Sequence, residues 1–164
     1  AQTKQGYGLH GTSFEVIIHF DLYRTGRRLP MDTGTDISTC AQQRDQAVAA
    51  LKGSQSEEAL WKCVVLFRGC ELKTMSGLPF SYKLKIGRDG EFTKELWIDR
   101  RESSKSLAWS SMILAYRNIG KIGEVVDRPK ALGDIRGVSY IYGIFYRFGL
   151  IDVPDKVKEK MALN

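Results

Sequence analysis

His10 and His19 are the only histidines, and Cys40, Cys63 and Cys70 the only cysteines, so the usual bases, nucleophiles and soft metal ligands are scarce. His19 lies between Glu15 and Asp21 on the polar side of an alternating segment, where an imidazole can act as a general base. With no candidate nucleophile beside it, it reads as a sheet-face histidine. The cysteines form no Cys-x-x-Cys pair and sit in apolar or helix-like stretches, which suits buried, reduced thiols in an intracellular compartment and not zinc. Glu57 and Glu58 fit a helix N-terminus, and Asp99 and Glu102 flank Arg100 and Arg101 as pairing partners. Gly-x-Ser-x-Gly, His-Glu-x-x-His and Gly-Lys-Ser/Thr are all absent from the sequence. These residues predict a non-enzymatic chain with no catalytic residue, no metal and no cofactor.

Binding is the chemistry that remains. Lys and Arg number 25 against 19 Asp and Glu, a net charge of +6 that favours an acidic partner such as nucleic acid or an anionic membrane surface. Six of these cations gather in two places: Arg24, Arg27 and Arg28 at one strand end, and Lys83, Lys85 and Arg88 along a hairpin. Together they are the candidate nucleic-acid or lipid-binding residues. No apolar run approaches the roughly 18 residues of a membrane span, and Ala1 to Gly8 is unlike a signal peptide, so membrane contact is expected to be peripheral.

The elements that would position them follow from periodicity. Phe14, Val16, Ile18, Phe20 and Leu22 alternate with polar residues, the pattern of a half-buried strand, and a Gly-, Pro- and Thr-rich basic loop runs on to about Asp36. A helix capped by Asp36 or Ser38 should extend through Leu51 and stop at Gly53. Ser54 with Glu57 has capping-box spacing for a second helix bearing Leu60, Val64 and Phe67, although Cys63 to Phe67 also suits a buried strand. Tyr82 to Ile86 and Phe92 to Ile98 alternate around Gly87-Arg-Asp-Gly90, which predicts a hairpin with a basic outer face; anion-cradling loops open helices, so this one reads as a turn. Gly133, Gly137, Gly143 and Gly149 likewise make no dinucleotide fingerprint. Ser103 or Ser104 is expected to cap a helix carrying Leu107, Ala108, Met112 and Ala115. Lys121 to Gly137 reads as a flexible loop, Ser139 to Phe148 as an aromatic helix, and Asp155 onward as a charged tail.

The expected architecture is α+β: residues 1–13 as a flexible N-terminus, 14–153 as one compact domain with a mainly antiparallel sheet packed against helices, and 154–164 as the tail. In the aromatic helix Ile141, Phe145 and Phe148 make a core stripe, while Tyr142 and Tyr146 with Arg147 fall on another side and are the residues expected to meet a partner. An alternative takes Ser104 to Gly120, Pro129 to Gly133 and Ser139 to Ile151 as a winged-helix-like unit of a nuclear or chromatin-associated nucleic-acid-binding protein.

Taken in order, an early strand, a loop and helix, the helix Ala59-Leu-Trp-Lys-Cys-Val-Val-Leu-Phe-Arg-Gly69, strands, and a late helix ending Arg147-Phe-Gly-Leu-Ile151 resemble the globular domain of rhabdovirus matrix proteins. The resemblance lies in element order and hydrophobic pattern over about 140 residues. It implies a non-enzymatic virion protein that binds the ribonucleoprotein and anionic membrane, self-associates, and resides in the virion and the host-cell interior; the alternative implies the nucleus. The sequence carries no proline-rich budding motif and no long polybasic N-terminal arm, which fits a plant-infecting member better than an animal one.

Overall fold

Alternation in two neighbouring segments makes the frame of the fold. The computed structural model describes residues 35–99 and 105–163. The strand over 14–23 with His19, the N-terminal segment with His10, and the loop holding Arg24, Arg27 and Arg28 lie outside the described residues. Strands β2 (Pro79–Ile86) and β3 (Phe92–Asp99) pair antiparallel with Tyr82 opposite Ile98 and Leu84 opposite Leu96. Gly87 to Gly90 closes them as the expected turn. The Gly87 N–H donates to the Glu91 carbonyl at 2.7 Å, and Gly90 takes a φ of 82°, a conformation that suits a residue without Cβ.

Two short edge strands complete an antiparallel sheet in the order β1-β2-β3-β4. They are β1 (Leu72–Lys73) and β4 (Lys105–Ala108). β4 replaces the first part of the helix expected from Ser103 or Ser104, which begins instead at Trp109 as α3 (Trp109–Ile119). The reason is local pairing: Leu107 sits opposite Leu96 and is buried between exposed Ser106 and Ala108, so this edge follows a period of two. On the inner face Leu72, Phe80, Tyr82, Leu96, Ile98 and Leu107 are all buried.

Helices cover that inner face. In α1 (Thr35–Ser54) Ala47 and Leu51, one turn apart, are buried. In α2 (Glu57–Leu66) Leu60, Cys63 and Val64 are buried, so the Cys63 to Phe67 run is helical through Leu66. Its cap is Ser56, whose hydroxyl accepts the Ala59 N–H at 3.1 Å; Ser54, the expected cap, instead donates to the Ala50 carbonyl and closes α1. The Tyr82 hydroxyl donates to the Val64 carbonyl at 2.6 Å and ties sheet to helix. Helix α4 (Val138–Arg147) lies over β1 and β2, and an added Cβ at Gly143 would stand 2.5 Å from the Lys73 carbonyl oxygen.

The segment expected to be a flexible loop is anchored, and the expected charged tail carries a helix. In the stretch 121–137 Val126 and Leu132 are buried, the Val126 N–H donates to the Asp152 carbonyl, and Asn118 donates to the Leu132 carbonyl. Its backbone is therefore held, with a 3-10 turn at Pro129–Leu132. The expected charged tail contains α5 (Asp155–Met161), which packs along β1 and buries Val157 and Met161. Four-residue spacing of two apolar side chains among Lys and Glu was enough to dock it.

Candidate anion-binding surface

Because side chains alternate along a strand, the odd-numbered residues of β2 that flank buried Tyr82 face away from the helices. Lys83 and Lys85 are both exposed there, with Trp97 directly opposite Lys83. The Lys85 Nζ stands 3.3 Å from the Trp97 ring centroid, a cation–π contact that holds the ammonium over the middle of the face. Lys83 Nζ lies 3.1 Å from Asp99 Oδ2. Both partners are half or more exposed, so the pair is worth only ~0–1 kcal/mol and an anion can displace the carboxylate at small cost. Arg88 is exposed in the turn, and beside it Ile86 is 63% exposed.

The structure thus brings Lys83, Lys85 and Arg88 onto one hairpin. Trp97 is the member that sequence reasoning missed; the alternation of Phe92 to Ile98 puts it on the outer face, but its place opposite Lys83 depends on the register shift between Leu84 and Ile86, which alternation does not encode. Its indole Nε1 is buried without a hydrogen-bond partner.

The expected partner-contact trio divides. Tyr142 does not face a partner: it is fully buried and its hydroxyl donates to the Val126 carbonyl at 2.6 Å. Helix α4 has Ile141, Tyr142, Gly143, Ile144 and Phe145 all buried, so the 121–137 segment covers the side on which Tyr142 was expected to be free. Tyr146 is half-buried and Arg147 exposed, and both line a groove of about 670 Å³ between β1, α4 and the end of α5.

Burial pushes the Tyr142 phenol up from its ordinary value of 10.0 to about 12, with Asp127 and Asp152 adding in the same direction. Burial also raises Tyr82. A raised folded-state value means that the neutral phenol contributes its full stability below pH 10 and that this contribution is lost as pH rises through about 12. Tyr142→Phe should cost about 1–2 kcal/mol near neutrality, because the Val126 carbonyl loses its partner, and should flatten the fall in stability above pH 10. Urea unfolding from pH 7 to 12 checks both; equal alkaline slopes for the two proteins would contradict the assignment.

Among the described residues no His, Cys, Asp and Glu cluster is placed to hold a metal ion, and no helix is long and apolar enough to cross a membrane. Cys63 is buried and its thiol is pushed up to about 11 by that burial, which keeps it protonated and inert near neutrality. No protein-family profile, curated protein or solved structure matches this chain.

Proposed function

We propose that this chain is a non-enzymatic, matrix-type structural protein of a virion, which binds ribonucleoprotein and anionic membrane peripherally and self-associates. The observation that carries the reading is the hairpin. Lys83, Lys85 and Arg88 are presented to solvent together, and exposed Ile86 stands next to the turn that bears Arg88. Cations meet anionic headgroups while an aliphatic side chain enters the headgroup boundary, the combination a peripheral membrane contact needs. In self-association the anchored 121–137 segment acts as a fixed surface bearing exposed Val125.

The nuclear alternative relies on the last helix of a winged-helix-like unit entering a major groove. Burial of Ile141 through Phe145 leaves that helix little surface to offer, and we do not favour it.

The test is flotation with phosphatidylserine-containing and neutral vesicles. Each juxtamembrane cation is worth about 1 kcal/mol at such a surface, so Lys83→Gln, Lys85→Gln and Arg88→Gln combined should lower binding to anionic vesicles by about two orders of magnitude, with neutral vesicles unbound throughout. Unchanged flotation by the triple variant at low salt would reject the hairpin as the membrane contact.

A further inference from the structure

A second basic feature lies on other elements, around the end of α4. The guanidinium carbons of Arg44 and Arg147 stand 5.7 and 5.5 Å from the centroid of one ring, that of Phe67. Two like charges therefore share one aromatic side chain at a separation no greater than those two distances together, which is near one Debye length at physiological salt. Lys52 joins them: its Nζ is 2.7 Å from the position a Cβ would take on Gly149. None of the three forms an ion pair with a carboxylate among the described residues. Arg44 spends its Nε on the Leu66 carbonyl at 3.1 Å and keeps its terminal nitrogens.

The plain explanation is that cations gather at the C-terminus of α4 to offset its macrodipole. That accounts for only part of the charge: a helix end carries about half a negative charge, against three cations here. The surplus borders a concave surface, because Arg147 also lines the 670 Å³ groove with Tyr146, Lys73 and Lys158. Of the last two, Lys73 donates to the Ala162 carbonyl and Lys158 pairs with Asp152 and Asp155.

We infer that this groove and the adjoining Arg44–Arg147 pair form a binding track for single-stranded nucleic acid. The two guanidinium groups take backbone phosphates, and Tyr146 provides a face for one base. Shape decides between the anionic polymers. A bilayer is broad and meets convex surfaces, and a duplex is stiff, whereas a single strand can turn its backbone along the rim and lay a base inside. The inference stands on the groove and goes beyond the hairpin reading.

Fluorescence anisotropy with a labelled 12-nucleotide oligouridine across a salt series tests it. Arg44→Gln/Arg147→Gln should weaken binding at least tenfold at low salt and lower the slope of log K against log salt by about 0.7 for each phosphate contact removed. Tyr146→Leu should weaken binding several-fold while Tyr146→Phe retains it, which separates stacking from loss of the hydroxyl. Lys83→Gln/Lys85→Gln/Arg88→Gln should leave the groove's share of the salt slope in place, so the two surfaces fail or succeed independently. If the arginine variant does not fold, crosslinking of a 4-thiouridine-substituted oligomer to the native protein replaces it, and the crosslink should map to Gly143–Arg147. An unchanged salt slope in Arg44→Gln/Arg147→Gln, a crosslink elsewhere, loss of anionic-vesicle flotation without loss of oligouridine binding in that same arginine variant, or preferential binding of polyglutamate over oligouridine would each overturn the inference.

Discussion

Phe148→Ala should remove about 3–5 kcal/mol from a domain whose total stability is on the order of 5–15 kcal/mol. Phe148 is fully buried at the end of α4, its N–H donates to the Ile144 carbonyl at 3.0 Å, and its ring meets Phe67 at 4.9 Å with a 57° tilt. Truncation loses the transfer energy of the ring and leaves a cavity beside Phe67. Phe67 cannot move freely, because Arg44 and Arg147 both rest on it. The damage should therefore reach the basic cluster as well as the core. Phe148→Leu keeps most of the volume and should cost less than half as much. Urea unfolding followed by tryptophan fluorescence reads the difference; a loss below about 1 kcal/mol for the alanine variant would mean that the site collapses around the missing ring.

Gly143→Ala should destabilise the chain by about 2 kcal/mol even though alanine is the better helix former. Propensity alone favours the substitution by up to about 1 kcal/mol. The added Cβ would lie 2.5 Å from the Lys73 carbonyl oxygen and 3.1 Å from Phe80 Cε1. A backbone oxygen in a paired edge strand cannot step aside as a flexible side chain does, so α4 and β1 must separate, and overpacking of this kind costs ~1–3 kcal/mol or more. The same separation would deform the groove beside Tyr146, so oligouridine binding should weaken along with the melting temperature. A variant as stable as the native chain would show that β1 yields.

Much of the helix and hairpin framework is legible in the sequence because each of those elements carries its own period. The hairpin over 79–99, α1 and α4 each have a repeating apolar side and a turn or glycine at the end, and neighbouring residues suffice to specify them. β1 and β4 are not legible. Two or four residues are too few to show a period, and they become strands only by pairing with β2 and β3. The same limit explains α5, whose seven residues read as a charged tail until β1 supplies a surface for Val157 and Met161.

The candidate residues divide along the same line. Lys83, Lys85 and Arg88 share a hairpin through strand parity and a local turn, so sequence alone determined that they stand together. Tyr142 and Tyr146, one turn apart on one helix, look equivalent in sequence, yet one donates to Val126 inside the core and the other borders a groove. Which side of α4 is covered depends on a segment 16 residues away in the chain, held by the bonds from the Val126 N–H to the Asp152 carbonyl and from the Asp152 N–H to the Glu124 carbonyl. Arg44 and Arg147 each stand over the Phe67 ring from helices far apart in the chain. Local periodicity determined the class, α+β with a basic hairpin. The pairing of distant cations on one ring, and the burial of one tyrosine of two, were decided by packing, because they depend on contacts for which neighbouring residues carry no code.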